Sequence, residues 1–156
     1  MLTEADMLAR ITALADVKSR QDIAAALAIY HPDIELVWPS VGAISRGAAA
    51  VERSLRIFFA LFPDYRITLG DTACKGALML AAGEVSLTPH IPGHPCPAVT
   101  VPVCLQLHFK DERIARETFF LDAGLICQRA GITPAQLHAA AGIAHTTLPT
   151  QEPFPC

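Results

Sequence analysis

The apolar residues of this chain change their spacing once, close to Pro63. Over most of the chain before that point they recur every three or four residues, as along one face of a helix. Between Tyr65 and Asp122 the period becomes two, in four segments separated by short turns: YRITLGDTA, ALMLAAGEVSLTPH, AVTVPVCLQLHF and RIARETFFLD. Strands joined by turns this short pair antiparallel. Helices followed by such strands predict an α+β fold, with helices packed on one face of a curved sheet.

Capping and breaking residues indicate where these elements end. Thr3 opens a first helix, and a second should run through Tyr30 and stop at His31-Pro32. A short strand, DIELVWPS, precedes the third helix. We expect the last hairpin to turn at Asp111-Glu112 and a terminal helix to begin after Thr133, which has a proline next to it.

The length of 156 residues fits one domain, which we place at residues 1–145, followed by a proline-rich tail at 146–156. Hydrophobic residues make up 52% of the chain and charged residues 17%. This apolar excess favours an internal cavity, an oligomer interface or both, and a homodimer is the expected assembly. The net charge of −3, with scattered basic residues, makes nucleic acid an unfavourable partner.

The cysteines and the N-terminus indicate the compartment. Five cysteines form an odd set without a CxxC pair, which predicts reduced thiols and neither a disulfide framework nor a zinc site. The N-terminus, MLTEADMLAR, is acidic where a signal peptide is basic, and no apolar run reaches the roughly 20 residues that a membrane span needs. We therefore expect a cytoplasmic protein without a membrane partner.

Four stretches carry a resemblance to a known family: ISRGAAAV, FPDYRIT, GEVSLTPHIPG and RIARETFFLDAGLICQRAGI. In this order they resemble the SnoaL-like polyketide cyclases of the nuclear-transport-factor-2-like superfamily, over about residues 8–132. The resemblance implies a cone-shaped, cystatin-like fold in which a curved, antiparallel or mixed sheet wraps around N-terminal helices. It also implies a deep apolar pocket at the open end of the cone.

The resemblance assigns a catalytic role to Asp122, as general acid/base in an intramolecular aldol ring closure. Four apolar neighbours would desolvate the carboxyl and raise its pKa toward the working range: Phe119, Phe120, Leu121 and Leu125. An N-cap for the following helix is the alternative role, and the two are compatible. A histidine at the matching separation in the family implies that His108, fourteen residues earlier, assists. A surface histidine is the alternative there.

Further residues are expected to contact substrate. Glu117 is a second candidate carboxylate, with a surface ion pair as its alternative, and His90 is expected at the pocket mouth. His90 lies in TPHIPGHPC, whose His and Cys residues also allow a metal site, although their spacing matches no usual zinc pattern. The expected aromatic walls of the pocket are Trp38, Tyr65, Tyr30 and Phe59, for which the alternative is ordinary core.

The resulting hypothesis is a cofactor-free enzyme of polyketide-cyclase type that moves a proton beside the carbonyl of a hydrophobic, oxygenated small molecule. No dinucleotide, Walker or flavin motif is present, so no organic cofactor is expected. A dehydratase or isomerase could use the same pocket. A non-catalytic binding or dimerisation module is the alternative from another class, because fold alone does not define function.

Overall fold

The computed structural model describes residues 2–142, so the expected tail at 146–156 and the boundary at 145 lie outside the described residues. The elements are α1 (Glu4–Ser19), α2 (Ile23–Ile29), β1 (Tyr30–Trp38), a 3₁₀ turn (Pro39–Val41), β2 (Ala43–Arg46), α3 (Ala48–Leu61), β3 (Arg66–Lys75), β4 (Leu78–Leu87), β5 (Val99–Lys110), β6 (Arg113–Leu121), α4 (Ala123–Ala130) and α5 (Pro134–Ala140). None of these helices is both long and apolar enough to cross a bilayer.

The strands form one sheet in the order β2-β1-β6-β5-β4-β3. Strands β3 to β6 pair antiparallel with their neighbours along the chain, as predicted. Short turns join β3 to β4 and β5 to β6, whereas a longer loop, residues 88–98, joins β4 to β5. The first strand instead pairs parallel with β6, which makes the sheet mixed. The last hairpin turns at Asp111 and Glu112, both with positive φ (47° and 61°), which confirms the predicted position of this turn.

The second helix ends earlier than the helical spacing predicts. Tyr30 has extended backbone angles (φ −75°, ψ 150°) and begins β1. Pro32 disfavours the helical conformation of the residue before it, and the chain becomes extended two positions ahead of the proline. As a result the Tyr30 side chain is only 1% exposed and points into the interior.

Alternation along the strands defines two faces of the sheet. In β4 and β5 the odd-numbered residues are buried, apart from the half-buried Gly83, and the even-numbered ones are exposed or half-buried. The inner face is covered by α1, which packs on β3, and by α3, which packs on β1. Among the described helices, the two that pack most extensively on the sheet, α1 and α3, both lie on its inner face. The core therefore lies on one side of the sheet, between it and the N-terminal helices.

Candidate functional site

A cavity of about 220 Å³ lies between α3 and the inner face of the sheet, beside the C-terminal end of α1. Five of its lining residues are aromatic: Trp38, Phe58, Phe59, Tyr65 and Phe119. The others are Lys18, Leu36, Ala43, Ser45, Ser54, Leu55, Ile57, Leu61, Glu117, Ala141 and Gly142. A concave, mainly apolar wall with a few converging polar groups is typical of a small-molecule site.

The aromatic wall is held together by edge-to-face packing around Phe58. Its ring centroid lies 5.6 Å from that of Trp38, 5.1 Å from that of Tyr65 and 5.9 Å from that of Phe119, with interplanar angles of 77°, 75° and 80°. Such pairs are favoured by the quadrupoles of the rings. The indole N–H of Trp38 donates to the carbonyl oxygen of Leu121 at 2.8 Å, so the polar edge of the indole is already satisfied.

Three polar side chains from distant parts of the chain meet at the cavity wall, and we call them the buried triad: Lys18, Tyr30 and Glu117. Glu117, in the middle of β6, is 1% exposed. Its Oε1 accepts a hydrogen bond from Lys18 Nζ at 2.6 Å, and its Oε2 accepts one from the Tyr30 hydroxyl. Lys18 Nζ also lies 5.8 Å from the ring centroids of Tyr30 and Phe119. The carboxylate is thus buried but paired, as a buried charge requires.

Both tyrosines near this carboxylate are held in the neutral form. Burial raises the pKa of Tyr30 well above its ordinary value, and the negative charge of Glu117 and the hydrogen bond to it raise this pKa further. Burial, followed by the charge of Glu117, also raises the pKa of Tyr65. The Tyr65 hydroxyl makes no hydrogen bond to another residue of the described chain, and Tyr65 lines the cavity. It is therefore a neutral donor that a ligand oxygen can use.

Most of the residues expected to contact substrate do gather at this cavity. Glu117, Trp38, Tyr65 and Phe59 line it. Tyr30 lies behind the wall and reaches the cavity through its bond to Glu117.

Asp122 lies elsewhere. It is exposed, and it caps α4, with its Oδ1 accepting a hydrogen bond from the backbone N–H of Leu125 at 2.9 Å. Phe120, expected to desolvate Asp122, is 49% exposed on the outer face of the sheet. The capping role is therefore present in the structure, whereas the expected desolvation is absent. A catalytic role for Asp122 stays a prediction without support from its position.

His108 is exposed on the outer face of β5, where its cross-strand neighbours are Leu78 and Arg116. The cavity lies on the other side of the sheet, so Asp122 and His108 do not meet in it. The physical reason is strand alternation: the even-numbered residues of β5 point away from the helices. An assisting role for His108 likewise stays a prediction.

His90 is exposed and lies beside a separate, shallow depression formed by residues 88–96. Its backbone N–H donates to the carbonyl oxygen of Leu61 at 2.7 Å, which joins this loop to the end of α3. Within residues 2–142, no three His, Cys, Asp or Glu side chains come together as a metal site would require. His90 is not part of the cavity wall.

Sequence reasoning missed Lys18 and the two serines of the cavity. Lys18 follows Leu14 by four positions and Ile11 by seven, so it lies on the buried face of α1. A basic residue at an apolar position of a helix is the signal that could have identified it. Ser45 lies on β2, a strand of four residues that the sequence pattern did not predict.

Known proteins share this architecture. The family model described as a SnoaL-like domain matches residues 11–117. A candidate SnoaL-like polyketide cyclase from Jannaschia sp. CCS1 is 14% identical and superposes with a TM-score of 0.73, covering 84% of this chain and 95% of that chain. A protein of ketosteroid-isomerase-like fold from Catenulispora acidiphila DSM 44928, in complex with trimethylamine, is 18% identical with a TM-score of 0.70, covering 80% and 93%.

A candidate polyketide cyclase from Sinorhizobium meliloti is 23% identical with a TM-score of 0.60, covering 76% of this chain and 99% of that chain. No curated protein sequence matches the chain. At these identities the structural similarities establish the fold, which is the nuclear-transport-factor-2-like fold predicted above. Because the family match spans more than half of its residues, the chain belongs to the SnoaL-like domain family.

Proposed function

We propose that this protein is a cofactor-independent enzyme that moves a proton beside the carbonyl group of a neutral, largely apolar small molecule. The observation that carries the proposal is the carboxylate of Glu117, which is 1% exposed, belongs to the wall of an aromatic cavity, and lies against a lysine and a tyrosine. Water-poor surroundings with oriented donors are the setting in which proton transfer to and from carbon is effective.

The proposed mechanism uses groups that already line the cavity. The substrate carbonyl oxygen accepts a hydrogen bond from Lys18 or Tyr65, and Glu117 removes a proton from the adjacent carbon. A carboxylate has about four lone-pair directions, of which the triad occupies two, so one can face the C–H bond. The cation of Lys18 stabilises the negative charge that develops on the oxygen.

The enolate then has three outcomes. Attack of its carbon on a second carbonyl in the same molecule, with the proton returned from Glu117 to the new alkoxide, is an aldol ring closure. Return of the proton from Glu117 to a different carbon is an isomerisation. Transfer of that proton to a hydroxyl group on the adjacent carbon, which then leaves as water, is a dehydration. Names given to the Jannaschia and Sinorhizobium proteins agree with the first outcome, which we favour.

A ligand-binding role without catalysis is the second candidate, and one observation favours it. Both oxygens of Glu117 accept bonds from within the protein, which is also how a binding protein would neutralise a buried charge. The two candidates differ in whether a bound ketone loses its α-proton.

The test is hydrogen–deuterium exchange at the α-carbon of 1-tetralone in D₂O, followed by NMR, in the wild type and in Glu117→Gln. We expect the wild type to accelerate the exchange and Glu117→Gln to reduce that acceleration about 100-fold or more, since acid–base groups typically contribute 10²–10⁴-fold. Affinity for 1-tetralone should change far less. Because the new amide would face Lys18 without a charge, circular dichroism must show that the variant is folded.

Asp122→Asn is the matched control, since asparagine caps a helix as well as aspartate does. This variant should accelerate the exchange at the α-carbon of 1-tetralone as much as the wild type does. If Asp122→Asn loses the acceleration of exchange and Glu117→Gln keeps it, the catalytic role belongs to Asp122. Binding of 1-tetralone by the wild type without any acceleration would favour the binding candidate.

A further inference from the structure

The cavity contains a second polar group besides the buried triad, formed by two serines. Ser45 on β2 and Ser54 on α3 both line the cavity, and their Oγ atoms lie 2.5 Å apart. Both residues are half-buried. We call them the serine pair. Nothing in the proposed proton transfer uses them.

Strand register shows how far apart the two polar groups lie. Ser45 is paired with Leu36 across β2 and β1, and Leu36 is paired with Glu117 across β1 and β6. All three line the cavity, so they share the inner face. Two strand spacings of about 4.8 Å put the backbones of Ser45 and Glu117 about 10 Å apart. The space between is bordered by the apolar side chain of Leu36 and by aromatic rings.

The serine pair retains hydrogen-bonding capacity. Each hydroxyl has one proton and two lone pairs, and the mutual bond uses one proton and one lone pair. One O–H donor and three lone pairs remain, and neither serine bonds any other side chain of the described chain. The pair can therefore both donate to and accept from a single ligand oxygen, as a hydroxyl group requires.

Volume and charge limit the ligand further. A cavity of about 150 Å³ holds benzene, and drug-sized ligands need roughly 300 Å³ or more. The 220 Å³ found here fits one or two rings. Within residues 2–142, the ionisable side chains that line the cavity are Tyr65, Lys18 and Glu117, and the charges of the last two cancel within their ion pair. A neutral ligand leaves that pair intact.

We propose that the serine pair is a specificity subsite, and that the ligand is a neutral one- or two-ring ketone with a second oxygen at the end opposite its reacting carbonyl. The carbonyl faces the buried triad and the second oxygen faces Ser45 and Ser54. This inference rests on the proposed function, since that function orients the carbonyl.

Two probes that differ by one hydroxyl group test the subsite: 1-tetralone and 6-hydroxy-1-tetralone, whose oxygens lie at opposite ends of two fused rings. Calorimetric titration of the wild type should give about five- to tenfold tighter binding of the hydroxylated ketone, the gain expected of one net hydrogen bond. In Ser45→Ala/Ser54→Ala this preference should disappear, with the affinity for 1-tetralone within about twofold of the wild type. A general loosening of the fold would weaken the binding of both ketones and leave the ratio of their dissociation constants unchanged.

Ser86→Ala is the control, because Ser86 is exposed on the outer face of β4 and should keep the preference. A wild type that binds both ketones equally, or a double alanine variant that keeps the preference, overturns the subsite. Exchange that depends on Glu117 would then still support the proposed function. Absence of binding by both ketones overturns the ligand class, and the exchange experiment then decides separately whether Glu117 catalyses.

Discussion

At the scale of single residues, the two tyrosines of the chain report on the site directly. Tyr30 is 1% and Tyr65 is 6% exposed, and there is no third tyrosine. Burial and the charge of Glu117 raise both pKa values above the ordinary value of 10.0. We predict that the folded protein shows no tyrosinate absorbance at 295 nm near pH 10–11, where free tyrosine is at least half ionised. The absorbance should appear only together with loss of the circular dichroism signal.

This shift has a defined sign for stability. The pKa values of Tyr30 and Tyr65 are higher in the folded protein than in the unfolded chain. The stability that the two neutral phenols contribute is therefore complete below about pH 10 and is lost as the pH rises beyond that value. Alkaline unfolding should therefore begin above pH 10, and Tyr65→Phe should remove about half of the final absorbance change. Tyrosinate absorbance with a midpoint near pH 10 and an unchanged circular dichroism spectrum would show that these phenols are accessible to solvent.

Residue by residue, the sequence identified the wall of the site better than its polar centre. Trp38, Phe59 and Tyr65 were expected as aromatic pocket walls, with ordinary core as the alternative, and all three line the cavity. In β6 the adjacent Phe119 and Phe120 obscure the alternation, so the pattern alone could not show that Phe119 faces the cavity and Phe120 faces outward. The outward position of Asp122 was hidden for the same reason.

At the scale of elements, the ion pair between Lys18 and Glu117 joins α1 to β6 across 99 residues of sequence. Removing only the lysine leaves a buried carboxylate without its cation, which typically destabilises by about 3–5 kcal/mol. We predict such a loss in urea unfolding of Lys18→Met. Lys18→Met/Glu117→Gln should recover at least half of it, because the neutral amide needs no cation and still accepts from Tyr30.

A second ion pair on α1 provides the comparison. Arg20 and Asp16 are joined at 2.7 Å but their side chains are 57% and 59% exposed. Solvent screening makes such pairs weak, so Arg20→Ala should change the unfolding free energy by less than about 1 kcal/mol. If the effects of Lys18→Met and Glu117→Gln simply add in the double variant, the two side chains do not interact energetically and the buried triad is not a unit.

Elements with strong local signals were predictable, and those that depend on distant partners were not. Thr3 and Thr133 form the predicted helix caps, since a cap is made by residues three positions apart. The strand β2 escaped prediction because it has four residues and follows a tight turn in which Gly42 adopts a left-handed conformation (φ 67°). The parallel pairing of β1 with β6 also left no local signal, because the two strands are far apart in sequence.

In the molecule as a whole, three of the large apolar side chains that are exposed in the described chain lie on the outer face of the sheet: Ile44, Leu80 and Phe120. The exposed or half-buried residues of this face include an apolar stripe made of Ile44, Leu80, Ala82, Cys104 and Phe120. Three charged residues on the same face form two ion pairs: Glu35 accepts from Arg46 at 2.8 Å and lies 3.1 Å from Arg116. Because one glutamate is shared by two arginines, this cluster carries a net charge of +1 and belongs at the solvent-accessible rim of a contact, with the apolar stripe at its centre.

We propose that a second copy of the chain covers the apolar stripe, forming a homodimer by an isologous contact in which the same patch serves both subunits. Phe120 is 49% exposed near one end of the stripe, so Phe120→Glu would place a carboxylate in the apolar contact of both copies. We predict a dimer for the wild type and a monomer for Phe120→Glu in sedimentation velocity, with melting temperatures similar at low protein concentration. Leu8→Glu, on α1 and 41% exposed, introduces the same charge away from the stripe and should remain dimeric. A monomeric wild type would refute the homodimer. If Phe120→Glu is still a dimer, the contact is formed by a surface other than the apolar stripe.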